Sequence, residues 1–225
     1  MKILALETST ELASIALSLD GQIIQTRLSS PPAHSATLLP EIRQLLAGQG
    51  LALTALDGIA CGIGPGAFTG VRLACSVAQG LALGADLVVH PVCSLLALAE
   101  AMNAREVYCA MDARMGEVYV AAYRREATGW VEVITPCCVA PNAAPLVPEG
   151  GWLGAGNAFA AYPALGEHLQ SRVRVPDAAC VPDAAAIARL AGQIPGVDPA
   201  LVAPLYVRDR VAQTVAERLA NGGRA

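Results

Sequence analysis

The amino-acid sequence predicts an α/β protein of two similar lobes, each built in the order βββαβα. The first observation is that residues 1–103 show strand-like and helix-like patterns that begin in this order and continue with one more strand and one more helix. The second is that the other half of the chain also opens with three strands. The third is that an apolar strand ending in a carboxylate occurs twice, with Glu7 and Asp112 lying 105 positions apart in a chain of 225 residues.

The first lobe, residues 1–103, is read from hydrophobic periodicity and turn residues. Period-two or continuous apolar runs predict strands, and Asp20-Gly21 is typical of a tight hairpin turn. The predicted strands are residues 2–7, 13–19, 22–28, 57–63 and 86–92. Apolar residues at helical spacing predict helices over residues 34–46, 71–83 and 94–102.

The second lobe, residues 104–225, opens with strands predicted at 106–111, 117–123 and 130–134. Residues 135–150 are rich in Pro and Ala and predict a loop with little regular structure. A further strand leads into a glycine turn within residues 152–157. Helices are predicted at residues 184–191 and 216–220, and the last of them is a candidate to pack back on the first lobe.

Composition limits the function classes. Charged residues are 15% of the chain, below the roughly 25% typical of soluble domains. Because 54% of the residues are hydrophobic, we expect an apolar surface that a partner covers. The net charge of −4 argues against binding nucleic acid alone, since phosphate contacts need a basic surface.

The cysteines and the N-terminus predict a cytoplasmic protein. Seven cysteines are scattered without Cys-x-x-Cys spacing, which favours reduced thiols over disulfides or a zinc site. Glu7 follows the first apolar residues too soon for a signal peptide. No uninterrupted apolar run reaches about 18 residues, so we expect no membrane span.

Two βββαβα lobes facing across a cleft resemble the fold of actin, the sugar kinases and the Hsp70 ATPases. In that fold, the first hairpin of each lobe turns around the nucleotide phosphates, and the strand-end acid holds a metal-bound water. Small residues are needed at such turns so that backbone N–H groups approach the phosphates. The first turn keeps small hydroxyl residues, but the second places Arg114 and Met115 where a phosphate would lie. We therefore predict a vestigial nucleotide cleft, formed by Glu7, Thr8, Ser9, Asp112 and Arg114.

The stretch from Gly62 to Arg72 is the most specific motif in the chain. Its glycines and Pro65 predict a tight loop that opens a helix, with Thr69 as a candidate N-cap. It is not a P-loop, because no Gly-Lys-Ser/Thr follows. An anion site at the helix N-terminus and a turn that seats the helix both remain open.

The helix that follows this loop is apolar nearly all round, which is typical of a helix buried on most sides. A strip of small residues recurs every four positions along it, at Gly70, Ala74, Ala78 and Ala82. Such a strip would let a second helix approach closely, and it is also typical of a helix buried within its own lobe. The spacing alone does not decide between these interpretations.

Five motifs together carry a family resemblance. They are Leu6-Glu7-Thr8-Ser9, His34-Ser35 with Leu38-Leu39-Pro40, Gly64-Pro65-Gly66-Ala67-Phe68-Thr69-Gly70-Val71-Arg72, Asp112-Ala113-Arg114-x-Gly116-Glu117-Val118-Tyr119, and Pro204-x-Tyr206-x-Arg208. These motifs resemble the TsaB (YeaZ) family, whose paralogue TsaD is a tRNA threonylcarbamoyltransferase. The resemblance spans nearly the whole chain, most densely over residues 1–125, and is loose over 135–203.

The resemblance implies a non-catalytic scaffold and activator of TsaD. TsaD transfers threonylcarbamoyl to N6 of the adenosine next to the anticodon in tRNA. The implied partners are TsaD as a heterodimer, the ATPase TsaE on that heterodimer, and a self-dimer through the same surface, with tRNA bound only through the complex. The implied four-helix interface uses the two helices of the first lobe, and we place in it Leu39, Ile42, Leu46, Ala74, Val77, Ala78 and Leu81.

No catalytic or metal-binding set of residues is predicted. TsaD carries a His-x-x-x-His metal pair, whereas His34 here is followed at that spacing by Leu38. No nucleophile has a histidine in a recognisable arrangement. We expect no cofactor beyond weak residual nucleotide binding. The alternatives are an autonomous actin-fold ATPase or phosphotransferase using Glu7 and Asp112, and a metalloprotease.

Overall fold

The computed structural model describes residues 1–28, 34–175 and 178–208, and it contains two five-stranded mixed sheets. The helix predicted at 216–220 lies outside the described residues. The first sheet has the order β3-β2-β1-β4-β5 and the second the order β10-β9-β6-β7-β8. In each sheet an antiparallel meander is extended by parallel strands on the side of its first strand, so the repeated topology matches the predicted duplication.

The strands agree closely with the predicted positions in the first lobe. The first sheet contains β1 (Lys2–Glu7), β2 (Ser14–Leu19), β3 (Gln22–Arg27), β4 (Gly58–Gly62) and β5 (Val89–Val92). The second contains β6 (Glu106–Arg114), β7 (Glu117–Glu126), β8 (Gly129–Val139), β9 (Trp152–Ala155) and β10 (Val173–Arg174). The helices are α1 (His34–Gly48), α2 (Phe68–Ala85), α3 (Ser94–Ala101), α4 (Ala158–Ala161), α5 (Pro163–Leu169) and α6 (Ala184–Ala191).

The three strands β6, β7 and β8 are each longer than the sequence predicts, and β8 departs most. β8 continues to Val139, through a stretch that we predicted to be a loop because of Pro136 and its neighbours. Proline is tolerated there because β8 is the edge strand of its sheet. The pairing jumps from Val120–Cys137 to Ala122–Ile134, so the bulge lies where Pro136 cannot donate a hydrogen bond.

The predicted Thr69 cap is wrong. α2 begins at Phe68, and its N-cap, Ala67, makes no side-chain capping bond. The Val71 amide already donates to the Ala67 carbonyl at 2.9 Å, so Thr69 lies inside the first turn.

Helices cover the first sheet on both faces. α1 and α2 bury one face over Leu4, Leu6 and Ile59. α6 covers the other face, where Ile187 packs near Ala5. The lobe limits 1–103 and 104–225 remain a prediction. α6, which covers the first sheet, comes from the second of these ranges.

The two sheets are joined through α3 and α6, which contact each other. α3 follows the last strand of the first sheet but packs its Leu95 and Leu98 against β6 and β7 of the second. The other face of the second sheet is covered by α4 and α5 around Trp152 and Phe159. The carboxyl ends of β1 and β6 therefore face one another across a cleft.

Candidate functional site: the interlobe cleft and the outer face of α2

The cleft between the lobes has a volume of ≈ 970 Å³. It is bounded by the β1–β2 turn, the glycine loop before α2, the β6–β7 turn and the segment 205–208. Of the five residues that we assigned to a vestigial nucleotide cleft, Ser9, Asp112 and Arg114 line it. Glu7 and Thr8 are buried beneath its surface.

Glu7 is fully buried and is held by groups of the protein itself. Its Oε1 accepts a hydrogen bond from the Ser9 amide at 2.7 Å, and its Oε2 accepts one from the Ser94 hydroxyl at 2.8 Å. A Cβ on Gly62 would lie 2.1 Å from Oε2, so the carboxylate occupies the space that this glycine leaves open. A carboxylate enclosed in this way is not positioned to hold a metal-bound water in the cleft.

Burial raises the pKa of Glu7 above its usual value, while hydrogen bonds from Ser9 and Ser94 oppose the rise. An acid whose pKa is raised by folding stabilises the fold below its unfolded-state pKa and loses that contribution as pH rises through the folded-state pKa. We therefore expect the contribution of Glu7 to the free energy of unfolding to fall as pH increases from about 4.5 upward.

In Glu7→Gln this decline should be much smaller, because the amide cannot ionise. Urea titrations of both proteins across the pH range measure the difference. A decline of equal slope in the variant would assign the effect to another group.

The β1–β2 turn is covered by the glycine loop. The Ala67 amide donates to the Ser9 carbonyl at 2.7 Å, and the Thr8 hydroxyl donates to the Gly70 carbonyl at 2.6 Å. A Cβ on Gly66 would lie 2.6 Å from Ser9 Cβ. Of the two interpretations left open for this loop, the contacts favour a turn that seats α2 against the first strand.

Asp112, the matching acid of the second lobe, is also engaged. Its Oδ1 accepts hydrogen bonds from the Arg114 amide at 2.7 Å and the Tyr162 hydroxyl at 2.8 Å. Its Oδ2 pairs with the Arg114 guanidinium at 3.2 Å. The Asp112 amide donates to Asn157 Oδ1 at 2.8 Å, so a residue outside the β6–β7 hairpin holds its turn in place. Protein donors thus occupy both carboxylate oxygens.

Arg114 extends across the cleft mouth. Its guanidinium pairs with Glu11 of the β1–β2 turn at 3.0 Å, which joins the two hairpin turns that would enclose phosphates in an active enzyme of this fold. Arg114, Met115 and Gly116 all have left-handed backbone, with φ of 63°, 57° and 76°. Arg114 lines the cleft, whereas Met115 is 65% exposed and is not among the lining residues. The expectation that both side chains fill the phosphate space is therefore wrong for Met115.

The described residues contain no group of three His, Cys, Asp or Glu that could hold a metal ion. Two of the three histidines contact backbone carbonyls, His90 Nδ1 lying 2.7 Å from the Ile194 oxygen and His168 Nε2 lying 2.8 Å from the Ala144 oxygen. The side chain of His34 lies outside the described part of the chain.

Comparison with known proteins identifies the family. The family model for TsaD, tRNA N6-adenosine threonylcarbamoyltransferase, matches residues 28–153. The tRNA threonylcarbamoyladenosine biosynthesis protein TsaB of Escherichia coli is 39% identical over 178 residues, covering 74% of this chain and 76% of that protein. The TsaB of Haemophilus influenzae is 34% identical over 226 residues, covering 94% and 95%. The chain belongs to the TsaB family.

Solved structures support the assignment and the fold. YeaZ from Pseudomonas aeruginosa is 36% identical, with a TM-score of 0.83, covering 91% of this chain and 99% of that one. A second Pseudomonas aeruginosa protein, described as similar to peptidase YeaZ, gives a TM-score of 0.84 at 36% identity and covers 92% and 99%. With the two mixed five-stranded sheets, these matches confirm the predicted actin-like ATPase fold.

The seven residues that we assigned to a TsaB-family interface divide into two groups. Four are buried in the first lobe's own core: Ile42, Leu46, Ala74 and Ala78. The small-residue strip therefore faces its own sheet, where a Cβ on Gly70 would lie 1.9 Å from the Thr8 carbonyl oxygen. Leu39 is 44% exposed, and Val77 and Leu81 are half-buried at the edge of the core.

α2 is buried on one side, not on most sides as we predicted. Its buried residues are Val71, Ala74, Cys75, Ala78 and Ala82. The opposite side is uncovered within the described part of the chain and is of mixed character, since Ser76, Gly80 and Gly84 are exposed there beside Leu83, which is 65% exposed. By length and composition alone α2 could cross a membrane, a test that core helices also pass, and it is the one described helix to do so.

Sequence reasoning missed the exposed residues Leu83, Phe68 and Tyr206. Leu83 was visible as part of the all-round apolar pattern, but that pattern does not show which side is covered. Phe68 and Tyr206 are brought together with Arg72, whose guanidinium lies 3.6 Å from the Phe68 ring centre and 5.7 Å from that of Tyr206. Both belong to motifs of the family resemblance, but no local signal predicts that they meet.

Proposed function

We propose that this chain is a cytoplasmic, non-catalytic subunit that binds TsaD and supports threonylcarbamoyl transfer to N6 of adenosine next to the anticodon in tRNA. The observation that carries the proposal is the contrast between cleft and helix. The two cleft acids, Glu7 and Asp112, accept hydrogen bonds from protein groups, whereas α2 leaves the large apolar side chain of Leu83 65% exposed among the described residues. The contacts of the two acids do not support catalysis in the cleft. The exposed apolar side chain of α2 supports association with a partner through this helix.

The outer face of α1 and α2 has the character of a docking surface. It presents Leu39 from α1 and Leu83 from α2. Val77 and Leu81 are half-buried and lie on the other flank of α2, because Leu81 and Leu83, two residues apart, point to nearly opposite sides of the helix. Gly80 and Gly84 lie on the same helix, and a Cβ on either would meet open space. The backbone of α2 can therefore be approached closely by a partner helix. A face of about 800 Å² per partner is enough for a specific complex.

The family-model match supports TsaD as the partner. Residues 28–153, which contain α1 and α2, match the TsaD family itself. A partner built on the same plan would carry an equivalent helix pair, and two such pairs can meet around an approximate two-fold axis. The same geometry would let this face pair with a second copy of the chain when TsaD is absent.

In this proposal TsaE and tRNA bind only to the complex of this chain with TsaD. The net charge of −4 offers no basic surface for tRNA on this chain alone. We place TsaE on the heterodimer, where its ATPase activity would supply the nucleotide chemistry that the cleft of this chain does not support.

The test is to mix the purified chain with TsaD and measure both assembly and tRNA modification. We expect Leu39→Asp and Leu83→Asp each to weaken TsaD binding at least tenfold, because a desolvated carboxylate at an apolar contact costs more than about 1.4 kcal/mol. The tRNA modification rate should fall in parallel at limiting concentrations of the chain.

Leu146→Asp is the matched control, since Leu146 is 49% exposed and lies in the second lobe. It should bind TsaD like the unsubstituted chain, and all three variants should keep the thermal unfolding midpoint. If both helix variants bound TsaD with unchanged affinity, the face of α1 and α2 would not be the interface.

A further inference from the structure

The segment 198–206 runs along the side of α2, although it follows α6 and comes from the second half of the chain. The side-chain amide of Gln79 donates to the carbonyls of Pro199 at 3.0 Å and Val202 at 3.1 Å. Farther along, Arg72 Nε donates to the Tyr206 hydroxyl at 2.8 Å. Since Arg72 and Gln79 are seven residues, or about two turns, apart, they lie on one side of the helix.

This segment presents one large apolar side chain to solvent. Leu201 is 74% exposed, the highest value among the large hydrophobic residues of the described chain. It stands at the end of the short 3-10 turn Pro199–Leu201.

The turn that carries Leu201 is nonetheless firmly built. Asp198 caps it by accepting a hydrogen bond from the Ala200 amide at 2.8 Å, and the Leu201 amide donates to the Asp198 carbonyl at 2.9 Å. Gln79 adds its two bonds from α2. An exposed apolar side chain on a turn fixed in this way loses little conformational freedom when it binds a partner.

At the other end of the segment, two aromatic rings and an arginine meet. Phe68 and Tyr206 are both about half exposed, their ring centres are 6.3 Å apart, and Arg72 lies between them. Tyr and Arg are the residue types that most often carry binding energy at protein interfaces. The segment 198–206 thus extends the exposed side of α2 with contacts of the same character.

We propose that the segment 198–206 forms part of the TsaD-binding surface, with Leu201 inserting into an apolar pocket of TsaD and the Phe68–Arg72–Tyr206 cluster at the margin. The proposal rests on the proposed function, because it takes TsaD to be the partner that covers α2. We infer that TsaD covers the segment because the segment is continuous with the proposed TsaD-binding surface. Gln79 and Arg72 bond the segment to α2, the helix on which Leu83 is exposed.

The experiment measures TsaD affinity for Leu201→Asp beside Leu83→Asp and the control Leu146→Asp, using the full chain. We expect Leu201→Asp to weaken binding at least tenfold and to leave the thermal unfolding midpoint unchanged, since the side chain is mostly in solvent. Gln79→Ala, which keeps Leu201 but removes the bonds that hold its turn, should weaken binding several-fold.

The outcomes separate this proposal from the one on which it rests. If Leu83→Asp abolished binding and Leu201→Asp did not, TsaD would cover α2 but not the segment, and the inference would be wrong. If neither changed binding, the proposed interface itself would fail. If Leu201→Asp reduced only self-association, measured by light scattering, the occupant would be a second copy and not TsaD.

Discussion

Replacing Gly70 with alanine is expected to destabilise the protein by at least about 3 kcal/mol, enough to leave much of the chain unfolded at 37 °C. The added Cβ would lie 1.9 Å from the Thr8 carbonyl oxygen and 3.0 Å from its carbonyl carbon. These are backbone atoms of the turn after β1, so no side-chain rotation relieves the contact. Either α2 or the first turn must move, and both are packed into the same core. Urea denaturation measures the loss.

Gly80→Ala is the matched control on the same helix. A Cβ at Gly80 meets nothing within 4 Å, and alanine favours helix over glycine by up to about 1 kcal/mol. This variant should be as stable as the natural chain or slightly more so. If Gly70→Ala unfolded at the same urea concentration as Gly80→Ala, close packing of α2 on the first turn would not be what the glycine motif provides.

This pair of glycines shows what local sequence could and could not tell. The motif from Gly64 to Arg72 predicted a loop that opens a helix, and the structure contains it. The alternatives of an anion site and a helix seat could not be separated, because the deciding neighbour, Thr8, lies 62 positions away. A short sequence motif indicates the backbone conformation. It does not show which distant atoms occupy the space that a glycine leaves open because it has no Cβ.

The same limit applies to α2. Its apolar composition predicted a helix buried on most sides, which is wrong, since the buried residues lie on one side. Periodicity could not tell which side faces the sheet, so Ala74 and Ala78 were assigned to the interface although they are buried in the core. The extent of β8 was missed for a related reason, since Pro136 breaks a central strand but is tolerated at an edge.

The turns that bound the cleft were easier to locate, because their evidence is local. Glu7 is the last residue of β1, Asp112 lies two residues before the end of β6, and Arg114 and Met115 follow Asp112 closely in sequence. That the cleft is a vestigial nucleotide site stays a prediction. The sequence could not predict which groups donate hydrogen bonds to the two acids. Ser94 reaches Glu7 across 87 positions, and Tyr162 reaches Asp112 across 50. These partners come from elements whose packing depends on the whole fold.

Glu100 is the clearest case of a residue without any signal in the sequence. It lies near the end of α3 within a run of Ala and Leu, yet its carboxylate joins three other elements. It accepts hydrogen bonds from Trp130 Nε1 of β8 at 2.7 Å and Arg189 Nε of α6 at 3.2 Å, and it pairs with Arg125 of β7. The side chain is 9% exposed. Glu100 thus ties the helix pair between the lobes to the second sheet.

Glu100→Ala is therefore expected to lower the free energy of unfolding by about 2–3 kcal/mol. Removing one partner of a buried pair costs about 3–5 kcal/mol, and the loss is smaller here because Arg125 and Arg189 are partly exposed and can be rehydrated. Glu100→Gln should lose less, since its amide oxygen can still accept from Trp130. The exposed Glu149→Ala is the control and should change stability by under about 0.5 kcal/mol. Equal urea midpoints for Glu100→Ala and Glu149→Ala would contradict the structural role of this carboxylate. A selective loss in Glu100→Ala would show that this buried carboxylate stabilises the packing of α3 against α6 and the second sheet.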